Sequence, residues 1–351
     1  MSTAAAGGGY AEEAEESAIE AYGLGKRYRR GWALRDCSFR LPAGRVCGLI
    51  GPNGAGKTTL MGLAADLLKP TTGTVRVFGA APGTAEAGLR VAFLPQEKPL
   101  FKRFTVAETL RLGRELNPRW DQRTAERIVR SGGVPLDARA GALSGGQRTR
   151  VAFALAFGRR PDLLLLDEPG SGLDPLVRRE LMSVLLAEAA EYGTTVLLSS
   201  HLLADLENSC DYLLVLAAGG IRLAGGVDEI LTTHTLLTGA LTGALTGTPA
   251  GRDLPPELAR HTVVESRVSG RQLTALVRPD GPVAGGWRTD DPTLEEILLA
   301  YFRDSGAPPL ISPGAHVGPR TAGDGTAPHP PERRVRAPGR PGRPGRPGRA
   351  R

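Results

Sequence analysis

Nine consecutive residues, Gly51, Pro52, Asn53, Gly54, Ala55, Gly56, Lys57, Thr58 and Thr59, bring together three glycines, one lysine and two hydroxyls. Glycines let backbone N–H groups close around phosphate oxygens at the start of a helix, whose positive end adds to the attraction. Lys57 would reach the β and γ phosphates of a nucleotide, and Thr58 would ligate Mg²⁺. Further along, four leucines from Leu163 to Leu166 run into Asp167 and Glu168. A buried parallel strand delivers acids at its C-terminal edge in this form. Asp167 would hold the Mg²⁺ shell, and Glu168 would polarise an attacking water. Strand ends often carry acids, so this second feature gains its meaning from the phosphate loop it accompanies.

Such side chains need a rigid sheet to hold them. Short apolar runs at 46–50, 91–94, 163–166 and 195–199 alternate with helical patterns at 60–68 and 176–186. The alternation predicts an α/β domain with a mainly parallel sheet. With 351 residues, 41% of them hydrophobic and 23% charged, the chain can build a large core without metal or disulfide staples. Cys37, Cys47 and Cys210 are scattered and show no metal-ligand spacing, which points to a reducing compartment. No apolar run approaches the roughly 18 residues of a spanning helix, and the N-terminus has no basic flank followed by an apolar stretch. The net charge of +7 is a property of the tail: residues 307–351 hold nine arginines against Asp324 and Glu332. Nucleic acid is therefore not the expected partner of the folded part, although the basic tail could touch anionic lipid.

The segment from Ala142 to Gln147 reads ALSGGQ, and here the chain resembles the ATP-binding cassette (ABC) ATPases, whose LSGGQ signature precedes the second acidic strand. The resemblance covers residues 18–232. It implies that Ser144, Gly145, Gly146 and Gln147 bind the γ-phosphate of an ATP held by a partner subunit, using a helix N-terminus. It makes Gln96 the glutamine that senses Mg²⁺ and water, and His201 the switch histidine on the γ-phosphate. Asp174, in the segment Ser171–Asp174, would reach across a dimer, and Tyr28 would stack on adenine, with Trp32 as a nearby competitor. The implied fold is a P-loop NTPase of the ABC-ATPase type: a mainly parallel sheet core, an antiparallel β subdomain and a helical subdomain at about 97–158.

The implied organisation is an acidic, disordered lead-in at 1–17 and an ATPase domain at 18–232. A low-complexity linker at 233–254 would follow, where LTG recurs at Leu237, Leu241 and Leu245. A small αβ appendage is expected at 255–303, with two strands around Gly270 and a helix over Pro292–Phe302. A disordered Pro/Gly/Arg tail at 304–351 completes the chain. The helical-subdomain spacing and the ending are similar to bacterial exporter ATPases. That similarity implies ATP hydrolysis with Mg²⁺, head-to-tail pairing with a second ATPase subunit, and a separate polytopic membrane subunit. It also implies a cytoplasmic location on the inner face of the membrane. A soluble ABC ATPase serving a non-transport partner stays open as the alternative.

Overall fold

The computed structural model describes residues 16–200, 209–240, 254–304 and 306–318. Its central sheet has seven strands in the order β14-β9-β8-β3-β7-β6-β5. They are β3 (Val46–Ile50), β5 (Val91–Leu94), β6 (Leu163–Asp167), β7 (Thr195–Ser200), β8 (Tyr212–Ala217), β9 (Gly220–Gly226) and β14 (Leu310–Ile311). Pairing is parallel from β8 through β3, β7 and β6 to β5, and antiparallel only between β8 and β9. Every residue of β6 and β7 is buried, as expected of strands covered on both faces. Alternate residues serve opposite cores. Leu164 and Leu166 join Phe153, Phe157 and Leu185 on one face, while Leu163 and Leu165 join Leu60, Met61 and Phe39 on the other.

A second sheet of three antiparallel strands, β1 (Ser17–Tyr28), β2 (Gly31–Pro42) and β4 (Thr72–Val77), covers the latter face. Strand β1 begins inside the expected lead-in, and Glu16 O already accepts a bond of 2.7 Å from Ala43 N. Helix α1 (Lys57–Ala64) follows the phosphate loop, and α2 (Ala85–Arg90) precedes β5. The opposite face carries α3 (Val106–Leu116), α4 (Gln122–Ser131), α5 (Gly145–Gly158) and α6 (Pro175–Tyr192). Their starts are locally encoded. Thr105 with Glu108 and Ser144 with Gln147 form reciprocal capping boxes, while Asp121 and Asp174 accept N-terminal N–H groups of α4 and α6. Gly193, at φ 62°, ends α6. The three cysteines are free and buried, and burial pushes the Cys37 thiol up to about 11.

The C-terminal part departs from the sequence expectation in two places. After α7 (Val227–Thr233), residues expected to begin a linker form β10 (Thr235–Ala240), an inner strand of a four-stranded sheet ordered β11-β12-β10-β13. The others are β11 (Thr262–Ser269), β12 (Gln272–Arg278) and β13 (Arg288–Asp290). Leu237, the first residue of the first LTG unit, is fully buried with Leu258, Leu273 and Val277, and Gly239 leaves room for Trp287. Repetitive composition thus did not prevent pairing, because β12 supplies a complementary partner more than thirty positions away. The remaining LTG units lie outside the described residues, as do residues 1–15 and 319–351. Gly270, at φ 61°, makes the turn between β11 and β12.

Helix α8 (Leu294–Arg303) has its own capping box, Thr293 with Glu296. Its Tyr301 hydroxyl lies 3.2 Å from His234 Nε2, while His234 Nδ1 lies 2.7 Å from Ile230 O. Burial pushes the His234 pKa down, so a neutral ring that donates from Nδ1 and accepts at Nε2 satisfies both contacts. The second departure follows α8. Leu310 and Ile311, expected in a disordered tail, pair with Leu223 and Ala224 at the sheet edge, and Ala315 is fully buried. Arg222 donates to Ala307 O and Arg278 to Pro309 O, so two arginines of the folded part fix the returning segment. An edge strand with unpaired N–H and C=O groups gains a partner in this way.

Leu237→Ala is expected to destabilise the appendage sheet by about 2–5 kcal/mol, the cost of truncating a buried leucine. Hydrogen exchange of the β12 amides would register it, whereas a linker residue would leave them unchanged.

Candidate functional site

Residues 51–56 link the end of β3 to α1 in a tight path that only glycine permits at key points. Gly54 and Gly56 have φ of 81° and 109°. A Cβ at Gly56 would lie 2.6 Å from Ala33 O, and one at Gly51 would overlap Leu216 O. The loop is thus wedged between the β2 hairpin and the end of β8. Lys57 turns back over it: its ammonium donates to Gly51 O at 2.7 Å and stands 3.8 Å from Glu168 Oε1, with the residue 6% exposed.

Across from the loop, the C-terminal edge of β6 presents Asp167. Thr58 Oγ1 donates to its Oδ2 at 2.6 Å, and Ser199 Oγ donates to its Oδ1 at 2.6 Å. The same Ser199 oxygen accepts Glu168 N at 2.9 Å. Glu168 has φ 45°, unusual for a residue with a side chain. An open groove of 380 Å³ is lined by Ala33, Asn53, Lys57, Thr58, Gln96 and Glu168, among others. Gln96 Nε2 donates to Ser171 Oγ at 3.4 Å, just before α6.

The donor set suits Mg²⁺. Thr58 and Asp167 offer hard oxygens side by side, and among the described residues there is no cluster of three or more His, Cys, Asp or Glu to form a cage. Mg²⁺ is commonly held by one or two protein oxygens together with substrate phosphates and water.

The structure brings together residues 53–59, Gln96, Asp167 and Glu168, with Gly51 and Pro52 carrying the carbonyls near the Lys57 amine. Of the remaining expected residues, those that the structure describes do not line this groove. Ser144 and Gly145 are exposed at the start of α5, where Ser144 Oγ accepts Gln147 N at 3.2 Å and Gly146 is half-buried. Asp174 is exposed and accepts Leu176 N at 2.9 Å. Tyr28, 45% exposed at the β1–β2 turn, does not line the groove, with the Lys26 ammonium 5.5 Å from its ring centroid. Trp32 is 40% exposed, and its neighbour Ala33 lines the groove instead. His201 falls outside the described residues. Sequence reading missed Ser199 and Ala33. The available signal for Ser199 was that two acid- and hydroxyl-ended apolar runs, 163–167 and 195–200, would lie side by side in a parallel sheet.

A profile of the family described as ABC transporter matches residues 34–171. The chain is 33% identical over 287 residues to the Nod factor export ATP-binding protein I of Ralstonia nicotianae, covering 80% of this chain and 88% of that protein. It is 38% identical to the thiamine import ATP-binding protein ThiQ of Vibrio parahaemolyticus, covering 54% of this chain and 84% of that one. A solved structure described as the ATP-binding subunit of an ABC transporter superposes with a TM-score of 0.56 at 28% identity, covering 62% of this chain and 92% of that chain.

Gly56→Ala is expected to strain the loop by about 1–3 kcal/mol, since the position has φ 109° and the added methyl would meet the Ala33 carbonyl oxygen as well as the Leu34 side chain. Thermal unfolding and nucleotide titration would both shift; wild-type values in both would contradict this account of the loop.

Proposed function

From the premise that this chain belongs to the ABC transporter family, we propose that it drives transport through a separate polytopic membrane subunit. In this reading it pairs head to tail with a second ATPase subunit over bound ATP. The chain is an ATP-binding subunit of that family, and such subunits bind ATP, use Mg²⁺ and hydrolyse the nucleotide. None of the helices among the described residues is long and apolar enough to cross a membrane, which supports a separate membrane partner and a peripheral position. The single observation that carries the pairing is that Ser144 stands exposed at a helix N-terminus away from the groove of the same chain. That end favours an anion, and a second subunit would bring it over the γ-phosphate. Similarity to the Ralstonia export subunit spans 80% of the chain, against 54% for the Vibrio import subunit, which favours export.

The arrangement of Lys57, Thr58, Asp167 and Glu168 supports the following roles, and those of His201, Tyr28, residues 144–147 and Asp174 rest on the family resemblance. The loop from Gly51 to Thr59 wraps the β and γ phosphates, and the Lys57 amine moves from the Gly51 carbonyl to their charged oxygens, a stronger acceptor. Mg²⁺, when bound beside Thr58 and Asp167, offsets phosphate charge. Glu168 accepts a hydrogen bond from water and sets it in line with the γ-phosphorus. The P–O bond to the departing ADP breaks as the new one forms, so catalysis is mostly positioning and electrostatics. Gln96 would report the state of this centre to the loop before α6. His201 would contact the γ-phosphate, Tyr28 would stack on adenine, and Ser144, Gly145, Gly146, Gln147 and Asp174 would serve the partner's ATP.

Lys57→Ala is expected to weaken ATP binding by roughly 10- to 100-fold, the worth of a charged hydrogen bond. Glu168→Gln should still bind ATP, lose roughly 10²- to 10⁴-fold in turnover and accumulate as an ATP-bound dimer in sedimentation. Recovered with ATP from detergent extracts of its native host, Glu168→Gln should bring down a stoichiometric polytopic membrane protein. Recovery of soluble partners alone would overturn the transport reading.

A further inference from the structure

We infer that Ser199 is the positioning residue that orients both acids of the hydrolytic centre, Asp167 through its carboxylate and Glu168 through its backbone. The inference rests on the reading of those two acids given above.

Ser199 is fully buried on β7, directly opposite Asp167 in the parallel ladder with β6. A hydroxyl has one proton and accepts through its lone pairs. Here the proton goes to Asp167 Oδ1 at 2.6 Å, and a lone pair takes Glu168 N at 2.9 Å. Strand β6 ends at Asp167, so the Ser199 side chain supplies the acceptor at the position where the strand has ended. Glu168 is also where the backbone enters a positive φ of 45°, a conformation that persists only where surrounding bonds enforce it.

The two oxygens of Asp167 are thereby divided. Oδ2 meets Thr58 beside the groove, while Oδ1 is held from the strand side by Ser199. Two hydroxyls on opposite oxygens fix the plane of the carboxylate, the arrangement by which outer groups orient a metal ligand. Glu168 lines both a cavity of about 100 Å³, which it shares with Ser171, Arg178, Met182 and Ser199, and the 380 Å³ groove.

The test compares Ser199→Ala, Ser199→Thr and Glu168→Gln in the full chain. Two readouts are used: kcat and KM for ATP, and Mn²⁺ affinity of the non-reacting ADP complex by electron paramagnetic resonance. Ser199→Ala is expected to lower kcat by roughly 10- to 100-fold and to weaken Mn²⁺ binding in the ADP complex, with KM for ATP retained. Ser199→Thr, which keeps the donor and acceptor, should restore both. Wild-type kcat and Mn²⁺ affinity in Ser199→Ala would overturn the inference, as would failure of threonine to restore them. Should the alanine variant not fold, Ser199→Cys, close in shape and weak as a donor, is read in the same way, and wild-type values there overturn it equally. Normal turnover by Glu168→Gln would instead sink the underlying reading of the acids; a dead Glu168→Gln beside an intact Ser199→Ala would sink only the positioning role.

Discussion

A carboxylate at the end of a buried strand must be satisfied where it stands. Asp167 is 4% exposed, and leaving such a charge without partners costs several kcal/mol. Its two oxygens take hydroxyls from two different elements, Thr58 at the start of α1 and Ser199 on β7. Those hydroxyls arrive only because β3, β7 and β6 run parallel with Ile50 opposite Ser200 and Ser199 opposite Asp167. The phosphate loop, the acids and the third strand are therefore one hydrogen-bonded unit, and the strand register decides the geometry of the groove.

The helices on the other face are tied down by charge as well as by apolar contact. Arg127 of α4 reaches Glu188 at 3.0 Å and Glu191 at 2.9 Å on α6, and Arg160, paired with Asp121, stacks 3.3 Å from the Tyr192 ring. Burial pushes the Glu188 carboxyl up, while the Arg127 charge opposes that shift. Ion pairs of this kind add little net stability but penalise wrong arrangements. They join α4, which packs on α5, to α6, the helix that Asp174 caps.

The C-terminal appendage is joined to the same body by His234 with Tyr301 and by the returning strand at Leu310 and Ile311. Little of this was legible. Leu237, Leu241 and Leu245 carry the same tripeptide, and nothing local marks the first as a strand residue. Likewise, a Pro- and Gly-containing stretch after α8 reads as tail until the open edge of β9 is in view. By contrast, the strands around Gly270 and the Thr293-capped helix were legible, because turn and cap preferences act within a few residues.

The chain's own order of residues determined the chemistry on offer: a glycine-rich loop with Lys57 and Thr58, acids closing a leucine run, an LSGGQ segment capping its own helix, and the α/β class that alternating patterns demand. These are short-range matters of conformation, capping and periodicity. Tertiary structure alone decided which groups meet. It set Ser199 against an acid 32 positions away, put Ala33 rather than Tyr28 at the groove, and kept Ser144 out of it. It also recruited β10 and β14 into sheets. Strand pairing joins distant segments through backbone groups that every residue carries, so composition and spacing do not specify partners; burial of both sheet faces does.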